Sequence, residues 1–122
     1  MGELHREGWQ MFIALYRWRV KGGREDRFRE GWRRLTEGIY RRRGSYGSRL
    51  HRAEDGTWVA YAQWPDRESW AASCGAAAAD AEASEMMRDS IEVSHPPVLM
   101  EVADDLLKEV GSGGALYEQR RT

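Results

Sequence analysis

The run Trp58-Val59-Ala60-Tyr61-Ala62-Gln63-Trp64 alternates in a way that could build a binding wall. With the two-residue period of a strand, Trp58, Ala60, Ala62 and Trp64 share one face. Two large rings then bracket two methyl groups, leaving a gap that a flat aromatic ring could occupy. Pro65-Asp66 breaks the run, and Trp70 follows only six residues after Trp64. Tryptophans mostly serve packing, so such a wall needs polar groups converging on it before it implies chemistry. Tyr16 shares a face with Trp18 on an apolar segment and could orient a phenolic ligand. His51 is the residue type for a general base near neutral pH, although it lies among arginines. Arg88 could pair with an oxyanion, and Met87 could contact a bound ring. Each has an ordinary alternative: a half-buried core tyrosine, an exposed histidine, a surface helix charge and a core methionine. His95 stands before two prolines in a loop, and His5 lies in a polar N-terminal segment.

Other chemistries lack their residues. A Ser/His/Asp order, Walker-type glycines and metal-ligand spacing are absent. Cys74 is the single cysteine, which excludes an intrachain disulfide and a cysteine metal cluster. The apolar stretches, MFIALY and the alanines near residue 77, are too short to span a bilayer. The N-terminal MGELHREGWQ has no apolar signal core, so a reducing, cytoplasmic setting is expected. Net charge is −1 but uneven: residues 17–52 carry thirteen Lys/Arg against four Asp/Glu, and residues 53–122 carry five against fourteen. The basic half raises the possibility of nucleic-acid binding. The acidic half compensates it, so neither nucleic acid nor membrane is expected as a partner.

The elements that must position these residues are legible in outline. Residues 10–20 read as a strand apolar on both faces: Phe12, Ala14, Tyr16, Trp18 and Val20 on one, Met11, Ile13 and Leu15 on the other. Phe28, Trp32, Leu35 and Ile39 form the apolar stripe of a helix led by Glu25 and Asp26 and closed by arginines before Gly44. Residues 45–54 and 57–64 flank Asp55-Gly56 as a hairpin. Asp66 caps a short helix that Gly75 interrupts. An alanine-rich helix then runs to about Glu92 with Ala79, Ala83, Met86 and Ile91 inward. A fourth strand covers 98–103, and 104–110 extends it or forms a turn. The chain divides into an extension (1–9), one domain (10–110) and a flexible tail (111–122). The order βαββαβ predicts an α+β, ferredoxin-like domain with a four-stranded antiparallel sheet. Helices cover one sheet face, so a second copy is expected on the other. RNA-recognition modules share this order, but the Lys/Arg-Gly-aromatic start of their signature is missing.

The strand MFIALYRWRVKGG, the helix start REDRFREGW, the hairpin YGSRLHRAEDGTWVAYAQWPDRESW and the late PVLMEV strand together resemble the antibiotic biosynthesis monooxygenase family over residues 11 to 107. The resemblance implies a homodimeric α+β barrel with a pocket between each sheet and its helices. It also implies oxidation of an electron-rich aromatic or polyketide-like molecule by O2, without metal or flavin. Trp64 matches the pocket-lining tryptophan at the family's strand end. Trp64, Tyr16 and His51 are then the catalytic candidates, with Trp18, Trp58, Trp70, Met87 and Arg88 contacting substrate. Haem-degrading relatives place an asparagine, a tryptophan and a histidine where this chain has Tyr16, Trp64 and Met86-Met87. Two of the three differ, so no cofactor is expected. The rival to an enzyme is a non-catalytic, ligand-binding or stress-related dimer of the same fold.

Overall fold

Nine residues rich in aromatic and β-branched side chains form the central strand, β1 (Phe12–Val20), onto which every other strand but one is laid. The computed structural model describes residues 11–108. After β1 come helix α1 (Glu25–Arg42), strands β2 (Gly47–Arg52) and β3 (Trp58–Trp64), helices α2 (Arg67–Cys74) and α3 (Ala81–Ser90), and strands β4 (Ile91–Ser94) and β5 (Val98–Glu101). The sheet is antiparallel in the order β2-β3-β1-β4, with β5 also paired to β1. This is the ferredoxin-like α+β plan. The expected extension (1–9) and tail (111–122) lie outside the described residues.

The expected four strands are five. Ile91–Ser94 pairs with Trp18–Val20, whereas Val98–Glu101 pairs with Phe12–Leu15. The two short strands therefore sit end to end along one edge of β1. Pro96 and Pro97 fall between them and have no N–H to donate to a ladder. His95 N still donates to Arg17 O at 3.0 Å, which carries the edge up to the interruption. The second correction has the same origin. Helix α3 stops at Ser90, and Ile91 (φ −89°, ψ 128°) leaves as strand to pair with Val20 rather than pointing inward from a helix. A β-branched residue gains more from the open edge of β1 than from one further helical turn. Residues 102–108 add no further strand or helix.

Local signals explain the rest. Helix α1 carries Glu25 and Asp26 in its first turn and Arg41 and Arg42 in its last, matching the helix dipole, and Gly44 (φ +81°) turns the chain away. Asp66 Oδ1 accepts the Ser69 N–H at 2.7 Å and starts α2. Asp80 Oδ1 accepts the Ala83 N–H at 2.9 Å and starts α3. The hairpin closes through Gly56 (φ +90°), with Gly56 N donating to Ala53 O at 3.0 Å.

Helices α1 and α3 lie on the sheet face that carries Trp18 and Trp58. Phe28 is fully buried, edge-on to Trp18 at 5.3 Å and tilted against Trp58 at 5.6 Å. The two helices meet at Gly31, where an added Cβ would lie 2.8 Å from Ala83 O and 3.1 Å from both Met86 Cβ and Met87 Cγ. Arg34 spans the same contact, reaching Asp80 at 3.1 Å and Glu82 at 3.0 Å. Gly31→Ala should lower stability by about 1–3 kcal/mol through overpacking, against the roughly 1 kcal/mol that alanine ordinarily adds in a helix. The check is the thermal unfolding midpoint. An unchanged or raised midpoint would show that the helices separate freely.

Candidate functional site

Alternation on β3 puts Trp58, Ala60, Ala62 and Trp64 on the helix side, all of them buried. Register with β1 sets Tyr16 beside Ala60 and Trp18 beside Trp58, so the small residues of β3 lie next to the tyrosine. Above them runs the apolar stripe of α1. The result is a cavity of about 210 Å³. Its floor is Tyr16, Trp18, Ala60, Ala62 and Trp64, and its roof comprises Trp32, Leu35, Thr36 and Ile39 of α1. Met87 of α3 closes one side, and Ser45 and Ser48 flank it near β2. An apolar cavity of about 150 Å³ holds benzene, and sites for drug-sized ligands begin near 300 Å³. One or two fused rings fit.

Two of the lining residues carry N–H or O–H groups of note. The Trp64 indole N–H is buried and has no hydrogen-bond partner, the sole such side-chain atom among the described residues. Leaving a buried donor unpaired costs about 1–3 kcal/mol. The Tyr16 hydroxyl accepts a hydrogen bond from Trp70 Nε1 at 2.7 Å, so its own proton remains available to donate. Burial raises the Tyr16 pKa above its ordinary 10.0, and the Trp70 bond only partly offsets this. Tyr16 is therefore a protonated donor at neutral pH, not a base. It is also the one lining side chain that can titrate. Among the described residues no cluster of three His, Cys, Asp or Glu side chains could hold a metal ion.

Of the residues expected to act together, Tyr16, Trp18, Trp64 and Met87 meet at the cavity. Trp70 stands behind it. Helix α2 buries no residue, and Trp70 ties it to β1 through the Tyr16 bond and contact with Phe12 at 5.7 Å. Trp58 packs in the aromatic core instead and faces a neighbouring groove. His51 pairs with Val59, one register step from Trp58, and so falls on the opposite sheet face, exposed, with Nδ1 3.1 Å from Val59 O. Arg88 is exposed on α3 and is engaged with Glu85 at 3.4 Å and Ser84 Oγ at 3.3 Å. Sequence reading missed Ser45, Ser48 and Thr36 at the cavity. The stripe on α1 located Trp32, Leu35 and Ile39 as buried but not as a roof.

The fold is a ferredoxin-like α+β domain with an aromatic-walled cavity between its sheet and helices. Residues 11–83 match the model of the antibiotic biosynthesis monooxygenase family, and the chain belongs to that family. No curated protein matches the sequence. Among solved structures, SnoaB from Streptomyces nogalater, described as a cofactor-independent oxygenase, is 18% identical with a TM-score of 0.68, covering 81% of this chain and 99% of SnoaB. A putative antibiotic biosynthesis monooxygenase from Bordetella bronchiseptica is 20% identical with a TM-score of 0.63, over 79% of this chain and 98% of that one. At such identities these likenesses establish the fold. No helix among the described residues is long and apolar enough to cross a membrane.

The Tyr16–Trp70 bond can be read directly. Trp70→Phe removes the donor that lowers the Tyr16 pKa, so the phenol should ionise at still higher pH. Alkaline titration of phenolate absorbance, with Tyr16→Phe subtracted, measures it. A fall in the Tyr16 pKa would show that Trp70 does not donate to this hydroxyl.

Proposed function

We propose that the chain is a cofactor-independent monooxygenase that oxidises a small, electron-rich aromatic or polyketide-like substrate with O2. One observation carries the reading: Trp64, whose buried indole N–H has no partner, lines an apolar cavity together with Tyr16. The likeness in fold to SnoaB supports it.

The chemistry follows from those donors. A substrate such as an anthrone carries a carbonyl conjugated to an acidic CH2. Hydrogen bonds from Trp64 Nε1 and Tyr16 Oη to that oxygen stabilise the enolate formed when the carbon loses a proton. With no base among the described lining residues, the proton passes to water at the mouth. The enolate gives one electron to O2, and the resulting radical and superoxide combine to form a carbon–oxygen bond. The peroxide takes up the proton and then loses water. One oxygen atom stays as the new carbonyl and the other departs with both hydrogens of the CH2. The apolar walls of Trp18, Ala60, Ala62 and Met87 limit water around the anion, which strengthens both hydrogen bonds.

The missing base also favours a second reading, a dimer that binds an aromatic ligand without turning it over. Oxygen uptake by metal- and flavin-free protein with an anthrone panel separates the two. Turnover above the buffer rate is expected, with Tyr16→Phe and Trp64→Phe each reducing it by about 10²-fold, the usual cost of one oxyanion donor. Binding without oxygen uptake would assign the second reading, and uptake only after adding flavin or iron would exclude the mechanism.

We infer a homodimer closed through the sheet face away from the helices, where Leu15, Tyr61 and Met100 are half-buried in the single chain. Such an interface needs on the order of 1,000 Å². Sedimentation equilibrium should give twice the chain mass at micromolar protein. A monomer there would remove the dimer.

A further inference from the structure

Beside the cavity lies an open groove of about 900 Å³ between the first half of α1 and the β2–β3 edge. Trp32 and Ser48 line both spaces, so groove and cavity adjoin across these two side chains. The walls could hardly differ more. The cavity has no charged residue, whereas Arg29, Arg33 and Arg52 border the groove, with Asp26 and Glu30 beside them. Glu30 is already paired with Arg33. Arg29 and Arg52 have no carboxylate within salt-bridge reach among the described residues. Arg52 is held in place by stacking over the Trp58 ring, its guanidinium carbon 5.2 Å from the centroid.

Resting on the oxygenase reading above, we propose that this groove is a subsite for an anionic substituent, a carboxylate or an equivalent oxyanion, on an aromatic whose reacting ring occupies the cavity. Size supports it. About 210 Å³ takes one or two rings, so a larger polycycle needs space beyond the cavity, and the groove adjoins it at Trp32 and Ser48. Charge sets what it meets there: Arg29 and Arg52, neither held by a carboxylate, present guanidinium forks that match a carboxylate. Stacking on Trp58 orders Arg52 before the ligand arrives, which reduces the entropy lost on binding. A nucleic-acid strand fits less well, because Asp26 and Glu30 would face its phosphates and the chain is −1 overall.

The test compares two probes with the same rings, 1,8-dihydroxyanthraquinone and its 3-carboxylate, by quenching of tryptophan fluorescence in the full chain. The carboxylate should bind about tenfold more tightly, the effect of one hydrogen bond to a charged group, and added salt should shrink the difference. In the Arg29→Gln/Arg52→Gln double variant the two affinities should converge, while Arg29→Lys/Arg52→Lys should retain part of the preference. Ala62→Leu, which fills the cavity, should weaken both probes. Equal affinities in the unaltered protein, with Ala62→Leu weakening both, would overturn the subsite and leave the cavity reading intact. A neutral probe that does not bind, with Ala62→Leu without effect on the carboxylate, would overturn the cavity reading and this inference with it. Single-stranded RNA displacing the carboxylate would assign the groove to polyanions and overturn the inference as well.

Discussion

Two alanines between two tryptophans keep helix α1 from closing onto the sheet. Ala60 and Ala62 contribute one methyl group each where β3 faces the helix, and no larger neighbour fills the deficit. The helix cannot settle into the space because it is propped at one end and tethered at the side. Phe28 wedges between Trp18 and Trp58, and Gly31 lets α1 come into close contact with α3. Protein interiors are otherwise filled to crystal density, so a space of this size persists only where rigid rings hold its walls apart.

The polar groups depend on that space. Trp64 lines it, although its indole N–H is buried and unpartnered. Tyr16 is arranged differently. Its oxygen is occupied by Trp70 from outside the cavity, and burial keeps its proton on. Accepting from Trp70 leaves the hydroxyl proton free to donate to another group. Helix α2 owes its attachment largely to this bond and to the Phe12 contact, since it buries no side chain of its own.

Much of the fold was legible because its signals are local. The four-three-four spacing of Phe28, Trp32, Leu35 and Ile39 marks one helix face. Asp66 accepts a backbone N–H three residues on, as its position before a short helix implies. Gly56 and Gly44 take the positive φ that their places in turns require. The misread segment, Ile91 to Ser94, is one where local and long-range preferences compete. An alanine-rich helix could run on through Ile91, but the free edge of β1 offers backbone hydrogen bonds that no sequence window contains.

The sequence by itself determined which residues share a face, since strand and helix periods follow from backbone geometry within a few residues. That was enough to align Trp58, Ala60, Ala62 and Trp64, and to align Tyr16 with Trp18. It did not determine which faces meet. Only the tertiary structure joined Tyr16 to Trp70, 54 residues away, and set His51 on the far side of the sheet. It alone placed Arg29 and Arg52 on one groove beside the cavity. Hydrogen bonds and charges act over a few ångströms of space rather than along the chain, so their partners are decided by how sheet and helices pack.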